Sequence, residues 1–175
     1  MSALAVVLAL VLQGAVAAQA PGPDALASAE RRYVHPTADF EIMVPAGWTL
    51  NEQTPPADLQ MKTLAGDALM EITSGPTSVA LDPVSYAAGW ESNAVGPNKL
   101  LHRKREGHQL RVNDDQAPAY EGVYEGEGVR VKVVFVGLPD RFVVLTGVFA
   151  TNDFAKGEAV FDRLVLTLRT RVSSK

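Results

Sequence analysis

The chain has 175 residues, with 16 Lys and Arg against 20 Asp and Glu, a formal net charge of −4 and no cysteine. The lack of cysteine excludes disulfides, thiol catalysis and zinc–thiolate sites. The mildly acidic balance speaks against sequence-independent nucleic-acid binding, which relies on Lys and Arg against phosphate.

The first element is an unbroken apolar run, ALAVVLALVL, from Ala3 to Leu12. Ala15-Val16-Ala17 follows and fits the small-x-small rule for signal peptidase, so residues 1–17 are expected to be an export signal cleaved after Ala17. The run is short for a bilayer span, which needs about 20 apolar residues. No Lys or Arg precedes it, so either the free amino group supplies the positive charge or the natural start lies upstream. Without a lipobox cysteine, no stable membrane anchor is expected after cleavage. A periplasmic or secreted location follows. Residues 18–30, rich in Ala, Pro and Ser, are read as a flexible lead-in. Residues 31–170 are read as a single domain.

Arg32 to His35 and Phe40 to Val44 are strand candidates joined by the turn residues Pro36 to Asp39, and Pro45-Ala46-Gly47-Trp48 ends the second. Leu59 to Leu64 and Ala68 to Ser74 flank Ala65-Gly66-Asp67, a hairpin pattern with glycine in the turn. Asp82-Pro83 opens a helix, because Asp caps it and Pro suits the first position, where its missing N–H costs nothing. Val84, Ala87 and Ala88 form its apolar stripe, Tyr86 and Trp90 lie on an adjacent face, and Gly96-Pro97 ends it.

Five strand candidates follow. Leu100 to Arg105 and Gln109 to Asn113 are polar and edge-like, with a turn expected around Gly107. Tyr120 to Glu125 alternates, as does Val129 to Phe135. Arg141 to Ala150, RFVVLTGVFA, is nearly continuous in apolar residues and is expected at the centre of a sheet, buried on both faces. The last element is a helix capped by Thr151 or Asn152. Its face of Phe154, Gly157, Phe161, Val165 and Leu168 predicts a cover for the sheet. Gly157 weakens that helix, and Glu158 beside it is expected to point to solvent. This order predicts an α+β fold, an antiparallel sheet with helices on its faces.

Two phrases on this layout, FEIMVPAGW (Phe40 to Trp48) and RFVVLTGVFATNDFAKGEAVFDRLVLTLR (Arg141 to Arg169), carry a resemblance. The chain resembles the PsbP-like domain group, which includes the PsbP subunit of photosystem II, Ran-binding Mog-type proteins and exported bacterial proteins of the DcrB kind. The likeness runs from about Tyr33 to Leu168. It implies an α/β/α sandwich around a central antiparallel sheet, no catalytic activity, and members that bind or help assemble other proteins through differing surfaces. It transfers no site residue.

The residues that could carry chemistry form small groups. His102 and His108 fall on either side of Gly107, and two imidazoles without a third ligand make a poor metal site. Two solvated side chains are the expected reading. Lys99, Arg103, Lys104, Arg105 and Arg111 cluster nearby. They suit either an acidic partner or headgroup, or protection of an exposed edge against strand pairing, which is favoured. Asp114, Asp115, Glu121, Glu125 and Glu127 lack calcium-loop spacing and are read as a solvated acidic segment. No G-x-S-x-G elbow, P-loop or dinucleotide motif occurs. Trp48 is read as a core or rim anchor. Tyr86 and Trp90 suit an interface if exposed, and sheet packing otherwise.

The expectation is an exported, non-catalytic domain without cofactor or metal. It binds another envelope protein, not nucleic acid, and aids assembly or stability. Arg103, Lys104, Arg105, Tyr86 and Trp90 are its candidate surface. The alternative is a small-molecule or lipid carrier using a pocket between sheet and helix.

Overall fold

The computed structural model describes residues 29–36, 40–52, 58–63, 65–77, 81–113 and 116–170. The expected export signal and most of the lead-in lie outside the described residues, as do Asp114 and Asp115. The chain runs β1 (Arg31–Val34), β2 (Phe40–Val44), β3 (Trp48–Glu52), β4 (Leu59–Thr63), β5 (Ala68–Pro76) and α1 (Pro83–Ala94). It continues through β6 (His102–Val112), β7 (Ala117–Gly126), β8 (Val129–Gly137), β9 (Arg141–Ala150), α2 (Phe154–Thr167) and β10 (Arg169–Thr170).

Seven strands form one antiparallel sheet in the order β3-β4-β5-β9-β8-β7-β6. β9 lies fourth, in the middle, and is buried from Val143 to Phe149. Its apolar side chains need cover on both faces, and the rest of the fold supplies it. On one face, Tyr124, Val133, Phe135, Val144 and Val148 pack beneath α1. On the other, Val134, Val143, Leu145 and Phe149 meet Phe161, Leu164 and Val165 of α2. The result is the expected α/β/α sandwich.

A second sheet, of order β1-β2-β10, completes the α2 face. Alternation in β2 turns Phe40, Ile42 and Val44 into the core and leaves Glu41 and Met43 outside. β10 reaches β2 with Arg169 opposite Glu41. This second sheet differs from the single sheet expected, because two residues after a helix leave no legible strand pattern.

The α1 cap is as expected. Asp82 accepts hydrogen bonds from the N–H groups of Val84 (3.4 Å) and Ser85 (3.0 Å), and Pro83 stands at the first helical position. The Ser85 hydroxyl also donates to Asp82, and these bonds hold its carboxyl below the usual carboxylate range. α2 begins later than expected. Thr151 to Asp153 form a short 3-10 turn with no side-chain cap bond, and the α-helix starts at Phe154.

Pro45-Ala46-Gly47 ends β2 as expected and turns the chain directly into β3, a strand not foreseen, whose Trp48 pairs with Thr63 and is buried as a core anchor. One further expectation is corrected. No turn interrupts the chain at Gly107, since His102 to Val112 is one edge strand with two register shifts. The glycine is required by close approach. A Cβ at Gly107 would lie 2.1 Å from the hydroxyl oxygen of Tyr120.

Candidate functional site

Among the described residues, β6 pairs only with β7 and forms an edge of the large sheet. Its first register shift decides where the basic residues go. Arg103 stands opposite Tyr124, and Arg105 opposite Val123, so Lys104 is an inserted residue. Such a bulge changes which face the following side chain points to. Tyr124 lies under α1 and Val123 lies in the core beneath α2. Arg103 and Arg105 therefore leave the strand on opposite faces.

On the α1 face, Arg103 pairs with Glu91 of the helix, and with Glu106 at 3.0 Å. The buried Tyr124 hydroxyl donates to the same Glu91 carboxylate at 2.7 Å. Burial, together with that bond, pushes the Tyr124 phenol far above its usual value, so it stays a donor. Trp90 packs on Tyr124 with ring centroids 5.0 Å apart, and on Phe135 at 5.7 Å. Tyr86 packs on Phe142 at 5.1 Å and on Phe135 at 5.6 Å. Both candidate anchors thus turn toward the sheet and stitch α1 down. Each remains only partly buried.

On the α2 face, Arg105 pairs with Glu158 and lies 3.8 Å from Glu121. Lys132 of β8, with only 3% of its side chain exposed, sits among three carboxylates: Asp162 at 2.6 Å, Glu121 at 3.1 Å and Glu158 at 3.2 Å. Burial alone would lower the Lys132 pKa, but the bond to Asp162 and the charge of Glu121 outweigh it and raise it. A lysine held as ammonium is not a Schiff-base nucleophile, which needs a depressed pKa. Glu158 does not point to solvent as expected. It reaches inward because two cations wait beneath its turn of the helix.

Lys104, at the bulge itself, pairs with Glu125 at 2.8 Å, and that bond holds the Glu125 carboxyl low. Arg103, Lys104 and Arg105 each carry a carboxylate, so the cluster is an ion-paired rim. His102 and His108 lie on one strand, opposite Glu125 and Glu121, and do not face each other. His108 Nε2 is 3.6 Å from Glu121. The acidic residues are likewise divided: Glu121 is buried against Lys132, and Glu127 is exposed at the β7–β8 turn. Among the described residues, no group of three or more His, Asp or Glu is placed to hold a metal ion.

A concave surface lies elsewhere. A groove of about 340 Å³ runs between α2 and the outer face of β2, walled by Met43, Pro45, Val160, Leu164 and Leu166, with Arg163 and Glu30 at its margins. Sequence reasoning offered a pocket between sheet and helix but named none of these residues. One signal was present, since Leu166 lies off the apolar stripe of α2; in the structure it stands 58% exposed.

No protein-family model and no curated protein matches the chain. The architecture is a PsbP-like fold. The chain is similar in structure to cyanobacterial PsbP (CyanoP) from Synechocystis sp. PCC 6803, with a TM-score of 0.63 and 10% identity over 89% of this chain and 98% of that one. It is also similar to a crystal structure from Bacteroides thetaiotaomicron VPI-5482, with a TM-score of 0.54 and 11% identity over 84% of this chain and 50% of that one. At such identities the likeness shows the fold alone.

Proposed function

We propose that the protein is an exported, non-catalytic PsbP-like domain that binds another protein of the cell envelope and aids its assembly or stability. The observation that carries this reading is how the charged side chains are used. Arg103, Arg105, Lys132, Glu91, Glu121, Glu158 and Asp162 spend their charge fastening two helices to one sheet. Both sheet faces are filled by apolar packing. What is left to work with is the outer surface. The β6 edge is a poor place for strand addition, because bulges and paired charges discourage it. Among the described residues, no helix is long and apolar enough to cross a membrane, and the export signal sends the chain out of the cytoplasm.

In-cell crosslinking of the full chain tests the reading. A reproducible envelope partner, with the amino terminus of the isolated protein beginning at Ala18, is the expected result. Turnover in a hydrolase panel with no crosslinked partner overturns it. A second reading, a small-molecule or lipid carrier, has the groove in its favour, since ligand pockets start near 300 Å³. Native mass spectrometry showing a bound small molecule selects that reading instead.

A further inference from the structure

We propose that the groove between α2 and β2 is the docking site for a segment of the protein partner, which inserts one bulky apolar side chain and lays a carboxylate on Arg163. The inference rests on the protein-binding reading above and names its surface.

The lining of the groove is mostly apolar. Thr167 is the polar side chain at its base, and its hydroxyl is already used: it accepts the N–H of Met43 (3.0 Å) and donates to the carbonyl of Leu164 (2.7 Å). An acceptor from a partner would find no hydroxyl donor left there. The walls are aliphatic, and Met43 adds a thioether side chain that adjusts to irregular shapes. Leu166 is left 58% exposed at the lip, a large apolar side chain with nothing over it in the described structure.

The charges give the partner's chemistry. Arg163 makes no ion pair among the described residues, in contrast to Arg32, Arg103, Arg105 and Lys132. Its guanidinium borders an apolar surface and suits a carboxylate, which it can meet with two parallel hydrogen bonds. Glu30 also lines the groove and disfavours a carboxylate beside itself, so the segment's acidic group belongs at Arg163. The groove is about half open to solvent. A free ligand in a carrier is mostly enclosed, whereas an anchor side chain borne on a polypeptide needs cover on one side only. Met and Arg beside a pocket for an anchor are the composition of an interface centre.

The test uses the full chain with methyl-labelled Met, Leu and Val, titrated with blocked hexapeptides. One set carries a central Leu or Trp beside two Glu, and the matched set carries two Lys instead. The acidic set is expected to move the methyl signals of Met43, Val160, Leu164 and Leu166. Arg163→Glu should weaken acidic peptides about tenfold and favour the Lys set. Leu166→Asp should weaken both. Both residues are exposed, and unmoved signals from Val134 and Leu145 show that each variant is folded. Equal binding of the two sets, indifference to Arg163→Glu, or saturation by decanoate but by no peptide overturns the proposal. Crosslinking separates it from the reading it rests on. A partner captured equally by wild type and Arg163→Glu places protein binding elsewhere and overturns the groove alone. No captured partner overturns the protein-binding reading, while the peptide titration still decides the groove.

Discussion

Arg103 and Arg105, two positions apart on the edge strand β6, hold opposite helices: Arg103 binds Glu91 of α1 and Arg105 binds Glu158 of α2. In a regular strand both would share a face. The insertion of Lys104 separates them. One edge strand thereby ties together the three layers of the sandwich.

Removing either arginine should cost little, because the two side chains are 36% and 49% exposed and solvent screens their pairs. Arg103→Ala and Arg105→Ala are each expected to lower stability by about 0.5–1 kcal/mol. They share no carboxylate, so the double variant should equal the sum within about 0.5 kcal/mol. Urea denaturation of the two single variants and the double variant checks this. A large coupling energy would show that the helices are not held independently.

Lys132 is a different case. Lys132→Met leaves the buried Glu121 without its ammonium, and Glu158 and Asp162 lose theirs in part. Breaking a buried ion pair from one side costs about 3–5 kcal/mol. Because Asp162 is half exposed and can turn to water, a loss near about 3 kcal/mol is expected. The loss should shrink on acidification, because Glu158, held low in the wild type by Arg105 and Lys132, takes up its proton more readily once Lys132 is gone. A loss that stays constant with pH would place the cost in packing instead.

Two carboxyls should give opposite pH dependences. Burial raises the pKa of Glu158, but bonds from Arg105 and Lys132 outweigh it and hold the folded value below the unfolded one. Its contribution is full above the unfolded pKa and is lost as pH falls through the folded one. Wild type should therefore exceed Glu158→Gln in Tm at pH 7, with the gap closing on acidification. Burial raises the pKa of Glu71, and the bond from Gln60 at 2.8 Å only partly offsets it. The folded form keeps its proton longer, so wild type loses stability as pH rises from the unfolded toward the folded pKa. Glu71→Gln should be more stable than wild type at pH 7 and indistinguishable from it in acid. Thermal melts across pH 3–8 read both.

Gly157 offers a test of sign. Helix propensity alone predicts that Gly157→Ala gains about 1 kcal/mol. A Cβ there would lie 2.1 Å from Cδ1 of Phe149, a fully buried ring. Overpacking of that kind costs about 1–3 kcal/mol, so the variant should be net destabilised. Adding Phe149→Leu should recover part of the loss. A more stable Gly157→Ala would mean that the ring yields freely.

Features that depend on near neighbours are legible in the residue order. Asp82-Pro83 starts α1, the unbroken apolar run of β9 demands a central place, and the spacing from Phe154 to Leu168 covers a sheet, since each pattern is complete within a few turns or one strand. The resemblance carried by FEIMVPAGW and by the ending matched the PsbP-like fold. The rest emerges on folding, because its causes lie far apart in the chain. Gly107 reads as a turn until Tyr120, from the neighbouring strand, is seen against it. Lys104 is a bulge only relative to Tyr124 and Val123. Glu158 turns inward for cations on β6 and β8. The groove exists only where α2 passes the outer face of β2, and there Arg163 and Leu166, two unremarkable surface residues in sequence, come to border one apolar surface.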